Sequence, residues 1–283
     1  MRDFLLGAVA YDAKVVPIWE GFRTFFVASG LPFDFILYSN YERQVEAHLR
    51  GEIDVAWNSP LAWIETERAA RAGGRTAEPI AMRDTDRDLT SVVLVRAASP
   101  YRSAADLRGR TLGVGAADSP QATLIPLGSL AEHGIEGPVV RHDALVGKHG
   151  DHIGGERDAV KALLAGKVDA ACIIDGNRLG FAREGVIGIA GPTAVRVVHQ
   201  TAAYDHCNFT ALDAPHPLTA TFRELLLGMS YDDPKLRPLL DMEGLTKWLP
   251  GRTSGYAALE RAVDRYGYLD AWLNNDAVTR SHV

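Results

Sequence analysis

Short apolar runs alternate along the chain with longer stretches in which apolar residues recur every third or fourth position. The first pattern predicts buried strands and the second amphipathic helices. Phe4 to Ala10 predicts a first strand. A helix through Trp19, Phe22 and Phe26 follows, with Asp12 placed to cap it and Pro17 early, where a missing N–H costs least. Phe33 to Tyr38 predicts the second strand. Ser39-Asn40-Tyr41-Glu42 carries Ser-x-x-Glu spacing, so a capping box is expected to start the helix that runs to Leu49. Ile53 to Trp57 predicts the third strand. Asn58-Ser59-Pro60 then opens a helix through Ala70 that Gly73-Gly74 ends. Strands and helices alternating at this spacing predict a mostly parallel sheet.

Further on, Pro79 to Arg83 predicts a strand, Asp84 to Asp88 a polar turn, and Leu89 to Arg96 a long β run with SVVLVR at its core. Ala104 to Gly109 predicts a short helix and Thr111 to Gly115 a strand. Asp118-Ser119-Pro120 starts a helix ending near Gly134, with Pro126 placed to bend it. Val139 to His142 predicts a short strand. Gly154-Gly155 opens a helix to Ala165, and Val168 to Ile174 and Val195 to Gln200 predict strands. The tail is expected to be helical at Leu218 to Met229, Lys235 to Met242 and Tyr256 to Tyr266.

One construction occurs twice. Leu49-Arg50-Gly51-Glu52-Ile53-Asp54-Val55-Ala56 and Leu164-Ala165-Gly166-Lys167-Val168-Asp169-Ala170-Ala171 share a helix end, a Gly, a polar residue, a β-branched residue, an Asp and a small apolar strand. Gly51 and Gly166 stand where a helix stops with positive φ, which Gly tolerates best. The repeat predicts an α/β chain of two lobes. Residues 1–90 and 202–283 form lobe one and residues 91–201 lobe two, so the chain crosses between lobes twice. Such lobes can close on a ligand as a hinge, with the ligand near the carboxyl ends of the strands.

Composition fits this picture. The chain has 283 residues, 47% of them hydrophobic, enough for two ordinary cores. Its net charge of −6 comes without a basic stripe, which argues against nucleic acid as a partner. No apolar run approaches the ~20 residues that span a bilayer, so no membrane insertion is expected. Cys172, in a predicted strand, reads as a small core hydrophobe. Met1-Arg2-Asp3 runs straight into the first strand without a signal-peptide pattern. The expectation is a cytoplasmic protein as the chain stands, and a periplasmic or extracellular one if a leader has been removed.

The candidate chemistry lies at helix starts. Asp12, Ser59-Pro60, Ser119-Pro120 and Gly154-Gly155 each follow a predicted strand. Helix N-termini offer free N–H groups and a partial positive charge, so several together bind an anion without many lysines. A single such cap is usually structural; two Ser-Pro starts at matching places in the two halves carry the reading. Tyr11, Tyr41 and Trp57 stand at strand ends as candidate pocket rings, and Asp12 or Asp175 as candidate carboxylates. His142-Asp143…Lys148-His149-Gly150-Asp151-His152 gathers three histidines and two acids. Imidazole and carboxylate could hold a metal, but structural zinc loops usually bring cysteines, so His149 and His152 are read as ligand hydrogen-bond partners and no metal is expected. In Tyr204-Asp205-His206-Cys207-Asn208, neighbouring strand residues point to opposite faces, so His206 and Cys207 are not expected to pair; Tyr204 or His206 is expected to line the cleft.

The motifs Tyr41…Leu49-x-Gly51-x-Ile53-Asp54-Val55-Ala56-Trp57-x-x-Pro60, Ala105-Asp106-Leu107-Arg108-Gly109-Arg110-Thr111-Leu112-Gly113-Val114, Ser119…Pro126…Leu130…Gly134-Ile135, Asp158-Ala159…Gly166-Lys167-Val168-Asp169-Ala170 and the late Tyr256…Leu259 follow one another along nearly the whole chain. In that order and spacing the sequence resembles the phosphate/phosphite/phosphonate-binding proteins of ABC importers. The resemblance implies a type II periplasmic-binding-protein fold and an ABC-transporter permease as a possible partner. Where the family has Ser-Thr-Ser-Gly this chain reads Ser119-Pro120-Gln121-Ala122, and Arg157 stands before Asp158 where the family has His before an acid.

The expected function is that of a solute-binding protein holding a small polar, anionic ligand. Ser59, Ser119, Gln121 and Arg157 would donate hydrogen bonds, Tyr11 and Tyr41 would shape the pocket, and Trp57, Asn58, His149, His152, Asp175 and Tyr204 would line it. No cofactor and no catalytic residue is required. The alternative is a cytosolic enzyme on the same fold, resembling menaquinone-pathway or thiamin-pyrimidine enzymes, that acts on a small metabolite through the 142–152 histidine loop.

Overall fold

The computed structural model of the protein describes residues 3–143, 152–187 and 194–269. In chain order the elements are β1 (Phe4–Val9), α1 (Val15–Ala28), β2 (Phe33–Tyr38), α2 (Tyr41–Leu49), β3 (Val55–Asn58), α3 (Pro60–Ala72), β4 (Ala77–Arg83), β5 (Ser91–Arg96), β6 (Leu112–Val114), α4 (Ile125–Glu132), β7 (Val139–Arg141), α5 (His152–Leu164), β8 (Ala170–Ile174), α6 (Asp175–Arg183), β9 (Val195–Gln200), β10 (Asn208–Leu212), α7 (Thr219–Leu227), α8 (Arg237–Glu243), β11 (Trp248–Pro250) and α9 (Ala257–Tyr266). The chain divides into two compact units. Unit 1 takes the chain up to Arg87 and from Asp205 to Tyr256; unit 2 takes Asp88–Tyr204 and Ala257–Tyr268. The chain passes between the units at 87–88 and again at 204–205. A further passage after Tyr256 delivers α9, which the sequence places in lobe one, to unit 2.

Unit 1 is built on a six-stranded sheet of order β11-β4-β10-β3-β1-β2. β1 pairs in parallel with β2 and β3, but β10 lies antiparallel between β3 and β4, and β11 is antiparallel to β4. The sheet is therefore mixed where a mostly parallel one is expected. Its core is aromatic. Phe4, Trp19, Phe22, Phe26, Phe33, Trp57, Phe209, Phe222 and Trp248 form one buried cluster, with Phe26 and Phe33 ring centres 4.7 Å apart. Aromatic pairs at such distances add to plain area burial.

Unit 2 holds a five-stranded sheet of order β7-β6-β8-β5-β9. The run Val92 to Val95 shows why its sequence lacks polar alternation. Val92 and Leu94 pack with Ala171, Ile173, Val160 and Phe181, while Val93 and Val95 pack with Leu112, Leu130 and Cys172. Successive side chains face opposite sides, and both sides are core.

The duplicated construction has a shared mechanism. Gly51 and Gly166 have φ of +72° and +74°. In each copy the Gly N–H donates to the carbonyl three residues back, His48 or Leu163, and the next N–H donates five back, Glu52 to Ala47 or Lys167 to Ala162. This is a Schellman cap made twice. Each Asp then fixes the next strand. Asp54 donates its N–H to Leu5 O (2.8 Å) and accepts Leu5 N on Oδ2 (2.8 Å). Asp169 does the same with Thr111, at 2.9 and 3.0 Å.

Candidate functional site

In unit 1 the carboxyl ends of β1, β3 and β4 and the start of antiparallel β10 fall on one sheet edge, because Asn208 pairs with Asn58 and Phe209 with Ala81. Tyr11, Ser59, Arg83, His206 and Cys207 are delivered there. Ser59 caps α3, its Oγ accepting from Ala62 N at 3.2 Å, with Pro60 at the first helical position.

Arg83 is the charge centre of this edge. Its Nε and Nη2 bind the two carboxylate oxygens of Asp86 at 2.6 and 2.9 Å. Nη1 reaches Glu243 Oε1 at 3.1 Å and Glu243 O at 2.8 Å. The guanidinium also lies 5.2 Å from the Trp57 ring. Burial alone would raise the Asp86 carboxyl, but Arg83 and His206 outweigh it and lower it to about 2. Glu243 is held less fully, and burial raises it to about 6 despite Arg83.

Behind the edge runs a chain of buried amides and hydroxyls. Gln44 Nε2 donates to Asn58 Oδ1 (2.8 Å), Asn58 Nδ2 to Thr210 Oγ1 (2.8 Å), Thr210 Oγ1 to Asn208 Oδ1 (2.7 Å), Asn208 Nδ2 to Tyr256 Oη (2.8 Å), and Tyr256 Oη to His206 O (2.8 Å). Asn58, expected to contact ligand, is fully buried in this chain and serves the sheet edge instead. Trp57 is likewise core, its ring 4.6 Å from Phe209. Tyr11 is exposed, and Tyr41 is half-buried at the start of α2. That helix is capped by Asn40, whose Oδ1 accepts Arg43 N, and not by Ser39.

In unit 2, Ser119 repeats the role of Ser59. Its Oγ accepts from Ala122 N at 3.1 Å, Pro120 follows, and a π-helical turn at Pro120–Leu124 leads into α4. Ser119 is fully buried and Gln121 nearly so, and among the described residues Gln121 Oε1 has no hydrogen-bond partner. Asp118, also buried, has its Oδ1 3.3 Å from Nε2 of His152. Tyr204 does not line an opening. It is buried, and its hydroxyl meets Ser91 Oγ at 2.8 Å while Ser91 donates to Gln121 O at 2.5 Å. Arg157, expected to grip an anion, binds Glu184 through Nε (2.9 Å) and Nη2 (3.3 Å). Asp175 starts α6 and accepts from Arg178 Nε at 3.1 Å. His149 lies outside the described residues.

Sequence reading missed Arg83, Asp86 and Glu243, although the rule that selects Tyr11 and Ser59, a polar residue just past a strand's carboxyl end, selects Arg83 and Asp86 too. It also separated His206 from Cys207. Residues 205–207 lie outside any strand, so the opposite-face rule does not apply, and His206 Nδ1 comes within 3.1 Å of Cys207 Sγ.

The family profile described as ABC transporter, phosphonate, periplasmic substrate-binding protein matches residues 13–256. The chain belongs to that family. Membership in the phosphonate-receptor family makes it a solute-binding protein of the ABC-transporter type, on a two-lobed periplasmic-binding-protein fold. Solved structures share this fold at low identity. PhnD1 of Prochlorococcus marinus, in complex with methylphosphonate, is 15% identical over 94% of this chain and 98% of its own, with a TM-score of 0.66. XAC2383 of Xanthomonas citri, bound to ATP, is 18% identical over 93% of this chain and 99% of its own, with a TM-score of 0.70. The periplasmic aliphatic sulphonate binding protein SsuA of Escherichia coli is 16% identical over 96% and 88%, with a TM-score of 0.56. Among the described residues of this phosphonate-receptor relative, no helix is long and apolar enough to cross a membrane.

Proposed function

We propose that the protein captures a small anion, of the phosphonate, sulfonate or phosphate-ester class, and presents it to an ABC-transporter permease in the periplasm. The observation that carries this reading is the matched pair of Ser-Pro helix starts, one in each unit, in which Ser59 and Ser119 each accept the N–H three residues on. Capping in this way uses the hydroxyl oxygen as acceptor and leaves its O–H available as a donor, beside the positive end of the helix. Gln121 adds an amide, and Tyr11 an aromatic wall. The structural neighbours include a methylphosphonate complex, an ATP complex and an aliphatic sulphonate binding protein, all concerned with anions, in support of this class. Arg157 is not assigned to the ligand, since Glu184 already takes its fork.

Calorimetric titration of the full chain with methylphosphonate, an alkanesulfonate, phosphate, ATP and a dicarboxylate tests it. One saturable site for at least one phosphorus or sulfur oxyanion is expected. Affinity should fall ~10-fold or more in Ser59→Ala and Ser119→Ala, since hydrogen bonds to charged groups carry ~1.5–3 kcal/mol. Silence across the panel, or affinity unchanged in both variants, would overturn the assignment.

A further inference from the structure

Asp86, His206 and Cys207 bring a carboxylate, an imidazole and a thiol together from two segments of chain that the sheet of unit 1 joins. One ligand atom from each lies within 4.8 Å of the others. His206 Nδ1 is 3.1 Å from Cys207 Sγ and 3.4 Å from Asp86 Oδ1. A tetrahedral zinc-type ion binding N, S and O at ~2.0, ~2.3 and ~2.0–2.2 Å sets N and S ~3.5 Å apart and N and O ~3.3 Å apart. These two spacings lie within a few tenths of an ångström of those between an ion's ligands, and all three ligand atoms fall within 4.8 Å of one another. We propose that Asp86, His206 and Cys207 form a binding site for a divalent transition-metal ion of the zinc class.

The surroundings favour this. The His206 backbone is pinned at both ends, its N–H donating to Asp86 O (2.8 Å) and its carbonyl accepting from Tyr256 Oη (2.8 Å). Asp205 beside it is held by Arg252 Nε and Nη2, each at 2.6 Å. The imidazole and thiol are therefore presented by backbone that costs little to order on binding. Arg83 occupies Asp86 in fork geometry, but a carboxylate oxygen has a second lone pair, and an arginine behind a ligating carboxylate orients it. Cys and His together select zinc-class ions over magnesium or calcium. Three protein ligands leave one position open, to water or to a ligand atom.

The metal site shares its sheet edge with Ser59 and Tyr11 but does not depend on the Ser-Pro anion reading, and either can fail alone, because a cobalt spectrum reads the thiolate and the anion titration does not. Chelator-treated full chain is titrated with Co(II), then Zn(II). One equivalent should bind with a thiolate-to-cobalt charge-transfer band in the near ultraviolet and tetrahedral d–d bands, and Zn(II) should displace it. Cys207→Ser should abolish the charge-transfer band while Cys172→Ser retains it, and His206→Ala should weaken binding ~10-fold or more. A band that survives Cys207→Ser, or no band at all, overturns the proposal. Should Cys207→Ser fail to fold, alkylation of the unaltered protein decides. Zn(II) is expected to protect Cys207 from iodoacetamide, read by peptide mass spectrometry; equal labelling of Cys207 with and without Zn(II) overturns the site.

Discussion

Arg83 meets a carboxylate on either side, the Glu243 carbonyl and the Trp57 ring at the same time. Such a buried pair adds little over a well-packed apolar substitute, but removing one partner strands the others. Arg83→Met is expected to lower unfolding free energy by ~3–5 kcal/mol, because Asp86 and Glu243 would remain buried without their cation. Equilibrium urea denaturation measures this. Arg83→Lys should recover only part of the loss, since an ammonium cannot satisfy the Asp86 fork through two parallel N–H bonds. A loss under ~1 kcal/mol in Arg83→Met would show that water reaches these carboxylates and screens them as at an exposed pair. Asn58 teaches a related lesson. A polar residue at the carboxyl end of a strand can face a ligand or complete a buried hydrogen-bond chain, and only its partners Gln44 and Thr210 decide which.

Helices and strands with a local signature were legible. The β5 run reads as buried because both its faces are apolar, and Gly51 and Gly166 stop their helices as their positive φ demands. What escaped was set by distant partners. β10 is a five-residue strand whose place depends on pairing with β3, some 150 residues earlier, and β11 is three residues ending in Pro250. Nothing in NFTAL or WLP announces those neighbours. The Asn40 cap was obscured differently, since Ser39 and Asn40 are both good caps and the extended backbone at Asn40 selects between them. The β11 seam makes a test of how tightly such hidden elements fit. A Cβ on Gly251 would stand 1.8 Å from Pro79 O, an obstacle made of backbone. Gly251→Ala is expected to destabilise by ~3 kcal/mol and to speed amide exchange in β4. Gly180, in α6, has open space around its missing Cβ. Gly180→Ala should stabilise by ~0.5–1 kcal/mol, read from the same urea curves. Equal effects of the two changes would contradict the packing described.

Protonation couples these local environments to the stability of the entire chain. Burial, then Arg75, lowers the His48 imidazole from 6.5 to about 3. The unfolded chain therefore takes up this proton first, and stability falls as pH drops from about 6.5 towards 3. Glu243 acts in the opposite sense. Its carboxyl is raised from 4.5 to about 6, so its contribution is fully present below 4.5 and is lost as pH rises through 6. Asp86, lowered from 3.8 to about 2, contributes above 3.8 and loses that contribution only as pH falls through 2. Between pH 6.5 and 4.5 the two main effects thus oppose each other, His48 destabilising and Glu243 stabilising as acid is added. His48→Leu should remove the first and spare ~2–3 kcal/mol of the acid loss over that window. Glu243→Gln should remove the second and make the loss steeper by ~2 kcal/mol. Urea midpoints measured from pH 4 to 8 at constant ionic strength separate the cases, because the variants move the slope in opposite directions. Profiles running parallel to the unaltered protein would mean that neither group is buried from water as its surroundings require.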